Sequence, residues 1–345
     1  MLPMRLKEID SLEVAVIVTD ELDPISPSPN PDVKHASHFL GIPVSDVNDP
    51  RTRGGAAAEM KMSSICCAAH GLSLMITAKC GDSTRTLLFD AGPEEEAWER
   101  NAMRMKANIN QVDHIMLSHY HRDHSGGLLR AITMVKEGRN QSDELVVDLH
   151  PDRPEYRGIA TPHGPICLEA DPAPSEVEQA GARVLLSQDA HSVLDDMFVV
   201  SGEISRTTDY EAGLPGGLRF VPSSEAENGG SWVKDEQIME ERYVMCNVKG
   251  KGLVIFTGCG HAGVINTIRD AQRLSGVETV YCVSGGYHMS DASPEKLQRT
   301  VQDMVELSPR VLHGGHCTGW RFKTEMEKIK PGIVVPCTVG MTYTL

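Results

Sequence analysis

The stretch His119-Tyr120-His121-Arg122-Asp123-His124, followed by Ser125-Gly126-Gly127-Leu128, decides how this chain is read. Three imidazoles and a carboxylate fall within six residues, directly after the apolar Ile115-Met116-Leu117. The pattern predicts a strand over 112–118, a loop carrying the histidines, and a helix beginning near Gly127. In such a loop His119 and His121 can converge on one metal ion, while Asp123 and His124 turn toward a second. Imidazole nitrogen and carboxylate oxygen suit Zn²⁺ and iron, and a site short of protein ligands keeps a position open for water. A polar surface loop is the alternative; four ligand-type side chains at this density argue against it.

Outward from this run, the second half of the chain repeats one arrangement: an apolar strand followed by a Gly-rich turn with a histidine. Leu253 to Phe256 leads into Thr257-Gly258-Cys259-Gly260-His261-Ala262-Gly263. Val277 to Val283 leads into Ser284-Gly285-Gly286-Tyr287-His288, and Leu312 into His313-Gly314-Gly315-His316-Cys317. The carboxyl ends of strands are where α/β sheets collect their sites, and glycine lets backbone approach a ligand. His261 and His316 are the ligand candidates here. His288 fits a ligand, a proton donor or a substrate contact at the rim. Cys259 fits either a thiolate ligand or bridge, or an inert buried thiol. Asp90, closing a strand in Phe-Asp-Ala-Gly, fits a second-sphere orienter of a histidine or a helix-capping residue. Gly260-His261-Ala262-Gly263 before a helix also offers a weak phosphate-binding signal.

Strands are expected at 14–18, 71–76 and 86–89, and helices at 94–107, 264–274 and 294–307. Strand–helix–strand alternation gives an α/β layered fold. Tracts at about 23–60, 150–180 and 206–240 read as loop-rich insertions, dense in Pro, Gly, Ser and Asn. Cys66 and Cys67 read as small buried residues in a strand. His70 fits the mouth of a site or an exposed surface position; His150, His163 and His191 are weak candidates.

Of 345 residues, 40% are hydrophobic, enough for a large core. A formal charge of -15 disfavours a nucleic-acid partner, and a local basic pocket for a small anionic substrate stays open. No run approaches the ~18 apolar residues of a membrane helix, so no membrane partner is expected. Nine cysteines without a Cys-x-x-Cys pair or a signal-like N-terminus read as reduced thiols in a cytoplasmic protein.

The His119-x-His121-x-Asp123-His124 run with Ser-Gly-Gly-Leu, and Leu-Phe-Asp90-Ala-Gly ahead of it, resembles the metallo-β-lactamase superfamily. His70-Gly-Leu-Ser, Gly202-Glu-Ile-Ser-Arg206, Thr257-Gly-Cys-Gly-His261-Ala-Gly, Gly285-Gly-Tyr-His288 and His316-Cys-Thr-Gly resemble one subgroup of it. That subgroup is named for 7,8-dihydropterin-6-yl-methyl-4-(β-D-ribofuranosyl)aminobenzene 5'-phosphate synthase. The resemblance implies an αββα sandwich, a single domain over 1–345, with one or two metal ions between its sheets. It implies His119, His121 and His261 for one ion and Asp123, His124 and His316 for the other, Zn²⁺ first, with Mn²⁺ or Fe as alternatives. Catalytic roles fall to Asp123 and His288. The expected activity is a hydrolase acting through a metal-bound hydroxide on an ester, lactone or phosphate-type small molecule. The alternatives are a transferase joining a pterin methyl diphosphate to an aminobenzene ribosyl phosphate, and a non-catalytic metal-binding sensor. A flavodiiron-type redox site is disfavoured, since such relatives carry Glu where this chain has His121. Two departures stand out: no Pro-Gly-His-Thr-like turn lies between 125 and 250, and Cys259 stands where a bridging Asp is usual.

Overall fold

Strand Ser11–Val18 divides its side chains between two apolar clusters, Val14 and Val16 entering one and Ala15 and Ile17 the other. The same period of two separates Leu87 and Phe89 from Leu88, and Val254 and Phe256 from Leu253 and Ile255. Strands buried on both faces need cover on both sides. Two sheets supply it to each other through the cluster holding Val14, Phe89, Val254 and Phe256. Helices Glu95–Met105 and Leu128–Glu137 cover the outer face of the first sheet, packing Trp98, Leu128 and Ile132 against Ile17 and Leu88. Val264–Ser275, Pro294–Leu307 and Trp320–Ile329 cover the second, packing Ile268, Met304 and Phe322 against Ile255 and Val283. The layers run helix–sheet–sheet–helix, the α/β sandwich expected from the sequence.

The structure is a computed structural model that describes residues 3–31, 33–35, 44–140, 143–226 and 229–345. Its first sheet has eight strands, with Val112–Met116 between Ser83–Phe89 and Val146–Leu149 in parallel pairing. The second has seven, with Gly252–Thr257, Val280–Gly285 and Val311–Gly314 parallel to one another. Register brings the strand ends together: Phe89 pairs with Met116, Thr257 with Gly285, and Gly285 with Gly314. The loops that follow these five strands therefore open along one edge of the sandwich. Arg242 ties the sheets beneath it, its Nη1 donating to Asp148 Oδ1 at 2.8 Å with both side chains fully buried.

Several expectations are corrected. The loop-rich tracts at 150–180 and 206–240 are in good part strands: Arg157–Thr161, Gly164–Cys167, Gly217–Pro222 and Gly230–Lys234 form a four-stranded antiparallel sheet. Its aromatic pair, Phe220 against Trp232, sits in register with ring centroids 5.4 Å apart. Within the tract 23–60, Val44–Asp46 pairs with Ala58–Met60; residues 32 and 36–43 lie outside the described residues. Cys66 is buried but Cys67 is exposed, and neither is in a strand. The histidine loop contains a short helical turn, Arg122–Ser125. No described helix is long and apolar enough to cross a membrane.

Candidate metal centre

Each candidate side chain follows a strand end. His119 and His121 follow Val112–Met116, and Asp123 and His124 lie on the helical turn after them. Asp90 follows Ser83–Phe89; Cys259 and His261, His288, and His316 follow the three parallel strands of the second sheet. Glycines let these loops meet. A Cβ at Gly258 would stand 2.2 Å from Ser118 Oγ and 3.2 Å from His119 Nδ1, so only glycine brings the two sheets' loops this close. Asp90, His288 and His316 all adopt left-handed backbone, with φ of 59°, 48° and 47°. Such conformations cost on the order of 1 kcal/mol or more each and concentrate at functional sites.

The hydrogen bonds fix the Nδ1 proton on three of the rings. Ser118 Oγ donates to Asp90 Oδ2 at 2.8 Å, so His119 Nδ1–H donates to Ser118 Oγ at 2.9 Å and Nε2 keeps its lone pair. His124 Nδ1–H donates to Asp90 Oδ2 at 2.6 Å, and His316 Nδ1–H to Asp20 Oδ1 at 3.2 Å. Their Nε2 atoms turn away from these carboxylates. Against burial, Asp90 and Asp123 raise the His124 imidazole, and Cys317, Asp123 and Asp20 raise that of His316, so both rings favour a second proton on Nε2 that a bound cation would displace.

The ring nitrogens gather in two groups. His119 Nε2 lies 2.9 Å, and His261 Nε2 3.2 Å, from His121 Nδ1. In the second group His316 Nε2 is 3.1 Å and His124 Nε2 3.6 Å from Asp123 Oδ2, and Cys259 Sγ is 3.2 Å from each of those nitrogens. Cys259 also lies within 4.8 Å of the ligand atoms of His119 and His261 and so stands between the groups. Ligand atoms held this close share either protons or a cation. A tetrahedral ion with bonds of about 2.0–2.1 Å sets its nitrogens about 3.3 Å apart, close to the spacings seen. Burial, reinforced by neighbouring imidazoles, holds His119 and His261 well below the usual imidazole range, and burial takes His121 to about 3. They are neutral, as metal ligands must be. Burial opposes the Asp123 charge, yet His124 and His316 outweigh it and keep the carboxylate ionised. Imidazoles, one carboxylate and one thiol fit a borderline ion such as Zn²⁺ or Fe²⁺ better than an all-oxygen ion such as Mg²⁺.

A cavity of about 540 Å³ opens above the centre, reaching His121, Asp123, His261, His288 and His316. Its far wall comes from the four-stranded sheet and the segments beside it: Ile159, Leu168, Leu214, Leu218 and Ile238. Arg122 and Arg157 also line it, but each is already matched. Arg157 donates to Tyr120 O at 2.7 Å, to Asp235 at 2.8 Å and to Glu240; Arg122 pairs with Glu169 at 3.0 Å. The cavity thus sets an apolar wall opposite the ligand candidates, and its arginines are paired rather than free.

The phosphate signal at 260–263 is overturned. Glu241 accepts from His261 N and Ala262 N at 2.9 and 2.6 Å, and Glu211 from Ile265 N and Asn266 N at 2.9 Å each. Two buried carboxylates therefore occupy that helix start and would repel a phosphate.

The structure adds Asp20 and puts His70, expected at a site mouth or on the surface, at the exposed mouth of the cavity. His70 lies at the mouth, its Nδ1 3.0 Å from Asp20 Oδ2, its Nε2 3.7 Å from Asp123 Oδ2, and its ring 4.9 Å from that of His316. Asp20 closes the approach of strand Ser11–Val18 to the same edge, a strand-end signal like that of Asp90. His191 instead joins Asp148 at 2.8 Å beneath the sheets, and His150 and His163 do not line the cavity.

Comparison with known proteins gives a consistent picture. Residues 70–133 match the model of the metallo-beta-lactamase superfamily. Over 277 residues the chain is 28% identical to the 7,8-dihydropterin-6-methyl-4-(beta-D-ribofuranosyl)-aminobenzene-5'-phosphate synthase of Methanocaldococcus jannaschii, covering 77% of this chain and 89% of that one. An uncharacterized protein of the same organism is 26% identical over 264 residues, covering 76% and 89%. Among solved structures, Tm1679, described as a metal-dependent hydrolase of the beta-lactamase superfamily, superposes with a TM-score of 0.63 at 20% identity, covering 96% and 98%. The chain has the metallo-β-lactamase fold, and the resemblance read from its histidine motif holds.

Proposed function

We propose that this chain is a cytoplasmic metal-dependent enzyme, a hydrolase acting on an ester, lactone or phosphate-type bond of a small molecule with an apolar body. The observation that carries this reading is the convergence of two groups of ligand-type atoms under one cavity with an apolar wall. Zn²⁺ is the first choice of ion, and the nine free thiols support a reducing compartment. His119, His121 and His261 would hold one ion, and Asp123, His124 and His316 a second, with Cys259 between them. Ions held there would supply Lewis-acid polarisation and ease proton loss from water.

The chain's own residues do the rest. Ser118, Asp90 and Asp20 hold the ring tautomers of His119, His124 and His316, so that Nε2 of each faces the centre. The Asp123 carboxylate borders the cavity, where it would orient the attacking water and accept its proton. His288 lines the cavity, where it would contact the substrate's departing group. Ile159, Leu214 and Leu218 seat the apolar body and keep bulk water from the reacting bond.

The test is elemental analysis of protein purified without chelator, paired with a panel of chromogenic phosphodiesters, lactones and thioesters on wild type and His121→Ala. Bound metal and a rate lost on substitution are expected. Bound metal with equal, background rates throughout would favour a sensor, and absence of metal would sink the reading.

The transferase alternative is supported by the synthase relative, which aligns over most of both chains. Release of diphosphate from a pterin methyl diphosphate, only when an aminobenzene ribosyl phosphate is present, would establish it over hydrolysis.

A further inference from the structure

Beside the two ligand groups lies a third: Cys259, Cys317 and one nitrogen of His288, with ligand atoms all within 4.8 Å of one another. Two features built into the backbone hold it, and before any ion binds Cys317 Sγ donates to Cys259 O at 3.2 Å, a bond given up when the thiol loses its proton. The loop after His288 is sewn to Cys317, whose carbonyl accepts from Met289 N at 3.1 Å and Ser290 N at 3.2 Å. Gly286 leaves the room: a Cβ there would stand 2.7 Å from Cys317 Sγ.

His288 needs a partner. Both its nitrogens are buried, and neither makes a hydrogen bond of proper geometry. Its backbone is left-handed, a cost that a merely space-filling side chain does not warrant. An ion bonded to two sulfurs at about 2.3 Å holds them about 3.8 Å apart, inside the 4.8 Å that bounds this group. Two thiols and an imidazole select a thiophilic ion of the Zn²⁺, Cd²⁺ or Cu⁺ class, softer than the carboxylate-containing group next door requires.

We propose that Cys259, Cys317 and His288 form a further, sulfur-rich metal position that shares the Cys259 thiol with the histidine centre. This rests on the reading of that centre as metal-binding. On binding, both thiols lose their protons to solvent and two metal–sulfur bonds form, with no change of oxidation state.

The test uses the full chain, prepared under reductant, saturated with Cd²⁺ and freed of excess. Metal is counted by elemental analysis, and the ultraviolet thiolate-to-cadmium band is recorded. Cys317→Ala and His288→Ala should each lose about one ion per chain, with Cys317→Ala also losing roughly half of the band. His121→Ala should lower the count but keep the band. Wild-type count and band in both Cys317→Ala and His288→Ala would overturn the proposal while leaving the histidine centre intact. A wild type without bound metal would instead overturn both readings. A mass two hydrogens lower in the reduced protein, marking a Cys259–Cys317 disulfide, would also overturn it.

Discussion

Asp90 Oδ2 lies 2.6 Å from His124 Nδ1, and both side chains are fully buried. The same carboxylate accepts from Ser118 N at 2.7 Å and from Ser118 Oγ, which in turn receives the His119 proton. One residue thus sets the ring orientation in both ligand groups. Asp90→Asn keeps the shape but offers the Oδ2 position as a donor, so His124 must turn or change tautomer. Metal affinity should fall about 10–100-fold, read by competition with a chromogenic chelator. An unchanged affinity would show that Asp90 does not orient the centre.

Gly126 belongs to the opening motif for a packing reason. A Cβ on it would meet Pro93 O at 1.8 Å and Pro93 C at 2.2 Å, both backbone atoms unable to yield. Gly126→Ala must push the histidine turn away from the loop after Asp90. We expect a loss of about 3 kcal/mol or more, measured by urea unfolding, together with loss of bound metal. A soluble, metal-loaded variant of wild-type stability would contradict this account.

Legibility in the sequence tracks locality. The run from His119 to His124 could be read because its ligands are neighbours in the chain. His261, His288 and His316 could be read because each follows an apolar strand and sits in a Gly-rich turn. The doubly buried strands showed themselves as unbroken apolar runs. Asp20 escaped because its relation to His70 is tertiary: 50 residues separate them, and only the fold sets Asp20 Oδ2 beside His70 Nδ1. The four-stranded sheet escaped for another reason. Its strands are four to six residues long, exposed on much of their length, and bounded by the Pro and Gly that mark loops. What stabilises it is pairing across the insertion, such as Arg157 against Arg219, with Asp235 bridging both guanidinium groups. No local period carries that information.

The Arg242–Asp148 pair is equally invisible in sequence, its partners lying 94 residues apart. Arg242 also donates to Ser187 O at 3.1 Å, and Asp148 accepts from His191 Nε2 at 2.8 Å. Removing the cation strands a buried carboxylate. Arg242→Met should cost about 3–5 kcal/mol in urea unfolding, and adding Asp148→Asn should return a large part of it. Equal stability of the single and double variants would mean that the charge is not what matters.

Asp171 gives the pH dependence. It is 6% exposed and accepts from Ser125 Oγ at 2.5 Å. Burial raises its carboxyl to about 6, against the pull of that bond and of Arg157, Arg153 and Arg122. The unfolded chain ionises this group near pH 3.9. A folded-state value above the unfolded one means that the native state holds the proton more tightly. Its contribution is therefore complete below about pH 4 and is lost as pH rises through about 6. Asp171→Asn keeps a neutral amide in place of the acid and removes that loss. The variant should gain on the order of 1–3 kcal/mol over wild type at pH 8 and nothing at pH 4, measured by urea unfolding at both. A gain of the same size at both values would assign the effect to packing rather than to the proton.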